Sequence, residues 1–215
     1  GKPIDQRQLR PHQARVLVLN KPEGVICSHH DPQNRQTVFD IVPKLARGRW
    51  ISVGRLDINT SGLLLLTDDG ELANALMHPS SQIEREYATR ILGTVSPEAI
   101  KNLLGGVTLD DGPAAFDDVQ DAGGMGANHW YHVVIREGRN REVRRIWETQ
   151  QVQVSRLIRV RYGPIEMPRD LRQGKYRYLE AEQIKQLQQA VGMTVMQPPP
   201  KKTPYQKRPR KPVRR

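Results

Sequence analysis

The chain has 215 residues, with 34 Lys and Arg against 23 Asp and Glu for a formal net charge of +11, and 37% of it is hydrophobic. That length supports one sizeable core or two small lobes sharing a cleft, and the positive balance favours a polyanionic partner, nucleic acid first. A lone cysteine, Cys27, excludes an internal disulfide and a Cys-rich zinc site; no apolar run approaches the roughly 20 residues of a membrane span and no signal peptide precedes Lys2-Pro3, so a soluble cytoplasmic protein is expected.

Residues 1–15 are polar and rich in Gln and Arg, a linker-like start that points to a further segment upstream. Residues 16–19 read as a strand ending at the Asn20-Lys21-Pro22-Glu23-Gly24 turn, with Val25-Ile26-Cys27 expected to run back beside it. Residues 53–56 read as the end of another strand. Leu63 to Leu66, bounded by Gly62 and the Asp68-Asp69-Gly70 turn, read as a short buried one. Asp68 and Glu71 have capping-box spacing ahead of Leu72, Ala73, Leu76 and Met77, a helix that Pro79 stops and that is expected to pack on the leucine strand.

Residues 87–92 form the next strand, and Ser96-Pro97 opens a helix through Ile100, Leu103 and Leu104 that Gly105-Gly106 ends. Strands follow at 107–109 and 129–135, then a turn at Glu137-Gly138 into a helix with Val143, Ile146 and Trp147 on one side. Residues 152–160 return as strand, and 181–191, closed by Gly192, form the last helix. From Met196 the chain turns to Pro, Lys and Arg with almost nothing apolar, a disordered basic tail over 196–215 that either solubilises or binds RNA. Strands and helices mix without a regular βαβ repeat, so residues 16–195 read as one α+β domain with a mostly antiparallel sheet. His29-His30 and His129-x-x-His132 lack further ligands at metal spacing.

The stretch richest in chemical content is Gly54-Arg55-Leu56-Asp57-Ile58-Asn59-Thr60-Ser61-Gly62, which sets one carboxylate in a tight polar loop between apolar segments. Asp57 fits a single working acid at a rigid strand end. From local sequence alone it fits better an Asx-type turn residue that bonds its own backbone. Arg139-Asn140-Arg141-Glu142-Val143-Arg144-Arg145 clusters guanidiniums at a helix start, and at about 100° per residue Arg144 and Arg145 point different ways, so one turns inward and needs a carboxylate partner.

With these two blocks, Leu19-Asn20-Lys21-Pro22-Glu23-Gly24, Arg85-Glu86-Tyr87 and residues 155–163, the chain resembles bacterial ribosomal RNA pseudouridine synthases of the RsuA/RluB group, most closely its RluB-like members, from about Val16 to Val191. The resemblance implies the pseudouridine synthase fold with a central active-site cleft, and isomerisation of a uridine in a stem-loop of large-subunit ribosomal RNA by a monomeric enzyme needing no metal or organic cofactor. It implies that Asp57 is the catalytic aspartate, that Tyr87 stacks on the uracil and helps remove its C5 proton, that Arg144 pairs with the aspartate, and that Val143 lines the base pocket. Attack at sugar C1′, proton abstraction from the sugar and addition at uracil C6 all stay open for Asp57.

Arg55, two residues before the aspartate, is expected to fill the slot left by an extruded base. Arg85 stands where the family commonly has Lys. The remaining expected RNA contacts are Asn59, Thr60, Arg139, Arg156, Arg159 and Arg161, the last three as phosphate binders or as ordinary strand-edge charge. Members of the group usually carry a small N-terminal S4-like RNA-binding domain, which is expected here upstream of residue 1, unless the basic tail takes over part of the RNA docking. The competing readings are a paralogue acting on small-subunit or transfer RNA, and a non-catalytic RNA-binding assembly factor; a carboxylate inside a polyanion-binding cleft speaks against the latter.

Overall fold

Four consecutive leucines can be buried together only if both faces of their strand are covered, because side chains alternate. In the computed structural model, which describes residues 14–125 and 128–194, Leu63, Leu64, Leu65 and Leu66 are all fully buried. The chain runs β1 (Val16–Lys21), α1 (Val38–Ile41), β2 (Ile51–Ser52), β3 (Ser61–Thr67), α2 (Gly70–Met77), β4 (Arg85–Leu92), α3 (Pro97–Gly105), β5 (Val107–Leu109), β6 (Gly112–Ala114), β7 (Asp118–Met125), β8 (Asn128–Ile135), α4 (Glu142–Glu148), β9 (Gln153–Tyr162), β10 (Ile165–Glu166), β11 (Tyr176–Tyr178) and α5 (Ala181–Ala190).

Among the described residues the main sheet has nine strands in the order β11-β1-β3-β9-β4-β8-β7, with β10 added to β9 and β2 to β3, while β5 and β6 form a separate ribbon. The β3–β9 pairing is parallel and the others are antiparallel. Leu64 and Leu66 face one core with Tyr87, Ile91, Val133, Ile146 and Trp147, and Leu63 and Leu65 face the second with Leu72, Leu76, Tyr162 and Leu187. The expected α+β class and mostly antiparallel sheet are what the fold has.

β3 and β9 meet at Gly62, whose φ is +107° and where an added Cβ would sit 2.3 Å from the Arg159 carbonyl oxygen. Only glycine permits this approach. Elsewhere the caps behave as the sequence implies: Ser96 accepts from the Ala99 N–H at 3.1 Å with Pro97 opening α3.

Four expectations are corrected. Val25-Ile26-Cys27 does not run back beside β1, because β3 and β11 already hold its two edges; Ile26 makes an isolated parallel bridge to Thr37 instead. The cap of α2 is Asp69, whose Oδ1 accepts from Glu71 and Leu72, while Asp68 accepts from the backbone and side chain of Arg15. Arg15 is therefore not linker-like, nor is Ala14, which is buried; the rest of the segment read as a linker lies outside the described residues, as does the tail. Residues 53–60 form a loop, since β2 ends at Ser52, so Asp57 lies in a connection between strands.

Candidate active site

The loop from β2 to β3 has little regular structure, yet the four backbone carbonyls from Asp57 to Thr60 all accept hydrogen bonds. Lys21 Nζ donates to Asp57 at 3.1 Å and to Thr60 at 2.8 Å. The Asp57 carbonyl also accepts from the Thr60 N–H at 3.0 Å, Ile58 accepts from Gly24 at 2.8 Å, and Asn59 accepts from Arg144 Nη2 at 2.9 Å. Upstream, the Leu56 N–H meets Cys27 Sγ at 3.4 Å. This separates the two readings of Asp57: its backbone closes the turn, and among the described residues its carboxylate accepts none of the turn's N–H groups. The side chain faces a cleft of about 1050 Å³.

Lys21 is fully buried. Burial pushes its pKa down, and the neighbouring Cys27, Asp57 and Glu23 charges oppose that shift. A buried ammonium needs partners for all its protons, and the carbonyls of Pro22, Asp57 and Thr60 supply three. Sequence reasoning assigned Lys21 no role; the available signal was a lysine closing an apolar strand, where only a fully bonded one is tolerated.

The same cleft is lined by Arg55, Thr60, Arg85, Tyr87, Arg139, Val143 and Arg159. Tyr87 and Arg159 are direct cross-strand neighbours on β4 and β9, which sets the phenol beside a guanidinium. Arg159 is 2% exposed; its Nε donates to the Leu63 carbonyl at 2.7 Å and its Nη2 is buried without a partner. Arg55 is exposed at the same cleft.

Several expected contacts fall elsewhere. Arg144 is buried, yet it does not meet the Asp57 carboxylate: Nη1 donates to Val154 O at 2.8 Å and Nη2 to Asn59 O at 2.9 Å, so it acts on Asp57 through the loop. Burial lowers its pKa, with Arg141 adding to the effect and Asp57 opposing it. Its inward turn is satisfied by carbonyls rather than by the carboxylate partner expected. Asn59 lines, with Arg144, Arg141 and Glu23, a second cavity of about 330 Å³.

Arg161 points away from the cleft, because a bulge pairs Glu86 with Arg161 but Tyr87 with Arg159 and so flips the alternation; there Arg161 is ion-paired to Glu86 at 2.9 Å and Glu84 at 3.1 Å. Arg156 faces the opposite side of the sheet from Arg159 as well. Arg139 lines the cleft, but its donors are taken by Glu142, Asp111 and the Pro113 carbonyl. Arg85 is similarly occupied, by the carbonyls of Ile83, Arg136 and Glu137. Both brace the cleft wall. Buried Glu142, which holds Arg139, was not foreseen; burial pushes its carboxyl upward against the bonds from Arg139.

The sheet carries on one face a cleft into whose wall a fastened loop sets Asp57. The family model described as RNA pseudouridylate synthase matches residues 15–149, and the chain belongs to that family. It is 55% identical over 196 residues to a Pseudomonas aeruginosa protein named ribosomal large subunit pseudouridine synthase B, with 88% of this chain and 51% of the relative covered. A Vibrio cholerae protein of the same name is 58% identical over 177 residues, covering 82% and 55%, and one from Escherichia coli K12 is 54% identical over 191 residues, covering 89% and 66%. The chain thus spans between about half and two thirds of these relatives. A crystal structure described as a pseudouridylate synthase superposes with a TM-score of 0.72 at 26% identity, covering 83% of this chain and 75% of that one.

Proposed function

We propose that this chain is the catalytic domain of a ribosomal RNA pseudouridine synthase that isomerises one uridine in a stem-loop of large-subunit ribosomal RNA. The observation that carries this reading is the Asp57 carboxylate, free of the turn's own hydrogen bonds, on a loop whose carbonyls are all fixed and in the same cleft as Tyr87. The substrate class draws its support from the names of the relatives.

In the reaction, the target uridine leaves its stack at a cost of a few kcal/mol, with Arg55 at the cleft filling the vacated slot. Thr60, Val143 and Arg159 line the base site. Asp57 acts on the nucleoside; the N1–C1′ bond breaks, the uracil turns, C5 bonds to C1′, and the C5 proton leaves by way of Tyr87 while N1 gains one. Lys21 and Arg144 are positioning residues that hold the Asp57 loop before substrate arrives, so little reorganisation accompanies the reaction. Residues 16–195 form the catalytic domain of a cytoplasmic, monomeric protein, followed by a basic tail over 196–215. Among the described residues no helix is long and apolar enough to cross a membrane.

The test is tritium release from ribosomal RNA labelled at uridine C5. The native chain releases tritium, and Asp57→Asn lowers the rate by at least about a thousandfold with RNA binding retained. Unchanged release by the variant removes Asp57 from its role; tight binding with no release by either chain means either that a further domain of the kind its relatives carry is required or that the chain is a binding factor, and supplying such a domain decides between them.

A further inference from the structure

The face of the sheet opposite the cleft is covered unevenly. α2 and α5 pack on its β1–β3 half through Leu72, Leu76 and Leu187. On the other half, register sets Arg156 of β9, Arg90 of β4, Trp130 of β8 and Gly123 of β7 side by side on one rung. Their neighbours Leu157, Ile91 and Tyr131 face the core on the cleft side, so this rung faces away from the cleft. Arg156, Arg90 and Trp130 are half-exposed, and Leu92 on the next rung is 45% exposed.

Like charges directly opposed across two strands destabilise a sheet. Among the described residues neither arginine has a carboxylate within hydrogen-bond reach. Arg90 Nε donates to Ser155 Oγ at 2.9 Å and its guanidinium lies 5.9 Å from the centre of the Trp130 ring. Arg156 has Glu23 at 4.0 Å from an Nε that is buried without a partner. Toward the other end of the same face the charges cancel, with Glu86 held between His132 and Arg161. The positive charge here is thus only partly compensated, by the loose Arg156–Glu23 pair, and it lies beside a half-exposed indole with the Arg90 guanidinium over one of its faces.

We propose that this rung is a second RNA-contacting surface, on which a single-stranded segment sets a phosphate between Arg90 and Arg156 and stacks a base on Trp130. Two cations next to an aromatic face on a flat sheet are what an unpaired, negatively charged strand requires, whereas a duplex offers no base face. Gly123, beside Trp130, adds no side chain over the ring. An acidic protein segment would answer the arginines and leave the indole unused. The inference rests on the reading of the chain as an RNA-acting enzyme only for the source of the strand.

The indole is its own reporter, since of the three tryptophans Trp50 and Trp147 are buried and Trp130 is the one that is not. In the Asp57→Asn background, a single-stranded 12-nucleotide oligouridylate quenches tryptophan fluorescence, and Trp130→Leu abolishes the quenching. The double variant Arg90→Gln/Arg156→Gln binds the fluorescein-labelled oligonucleotide about tenfold more weakly at low salt, and the slope of log affinity against log salt falls by about 0.7, one phosphate's share on a single strand. Without RNA the double variant melts no lower than its parent, because repulsion has been removed. Absent quenching, or unchanged affinity and salt slope, overturns the proposal, and quenching by polyglutamate but not by the oligonucleotide transfers the surface to a protein partner. Failure of tritium release with quenching intact, both in the native chain and after a further domain of the kind its relatives carry is supplied, sinks the enzymatic reading alone.

Discussion

Lys21 Nζ lies 3.1 Å from the backbone carbonyl oxygen of Asp57, so the residue that presents the carboxylate is gripped by its main chain. The grip and the reactive group are thereby separated, and either can be altered without the other.

Lys21→Met removes the donor for the Pro22, Asp57 and Thr60 carbonyls. Leaving buried acceptors unpaired is expected to cost about 2 to 4 kcal/mol. Urea unfolding checks this: a midpoint within error of the native chain would show that water replaces the ammonium at no cost.

Arg144 bridges Asn59 and Val154 with two different nitrogens, a geometry that a lysine ammonium cannot reproduce. Arg144→Lys is expected to lower kcat by about a hundredfold with KM for RNA within about threefold, since loop placement rather than RNA affinity is lost. A rise in KM with kcat unchanged would assign Arg144 to direct RNA binding instead.

Gly62→Ala meets the Arg159 backbone at 2.3 Å while φ stays at +107°. The strand pair must separate, at an expected cost of at least about 4 kcal/mol. A thermal melt within a few degrees of the native chain would show that β3 and β9 tolerate the shift.

Glu84 and Glu86 both titrate below the ordinary glutamate value of 4.5. For Glu84 the hydrogen bond from Arg136 leads; for Glu86 burial pushes upward but is outweighed by His132 and Arg161. A carboxylate depressed in the folded state stabilises above its unfolded pKa, and that contribution is lost as pH falls through the folded value. Melting temperature should therefore fall on acidification below about pH 4.5, and Arg161→Gln should flatten that limb while leaving the salt dependence of RNA binding unchanged. An RNA salt slope reduced by the variant would return Arg161 to the phosphate contacts.

How much of this was legible in sequence depended on the period of the signal. The leucine strand, the Ser96-Pro97 helix start and the Trp147 helix carry strong local patterns, and they lie where expected. β7 was missed because Asp118–Met125 is a glycine-bearing edge strand with no buried residue and no alternation. The bulge that separates Arg159 from Arg161 is invisible to a period-two reading. Asp57, Tyr87 and Val143, singled out by the motifs that carry them, line one cleft, whereas the burial of Lys21 and the turning of Arg144 onto carbonyls depend on chain segments brought together only by the fold.

The place of β1 between β3 and β11 governs how this protein fails. β11 is three exposed residues long, and with the bonds of Asn20 to Leu171, Gly174 and Lys175 it closes an edge of β1 whose valines and leucines are fully buried. Peeling it away would uncover a hydrophobic strand with unpaired N–H and C=O groups, which is a template for self-association. Aggregation under heat is thus expected to begin at this seam, far along the chain from Asp57, and an added cross-link between β1 and β11 would delay it without touching the cleft.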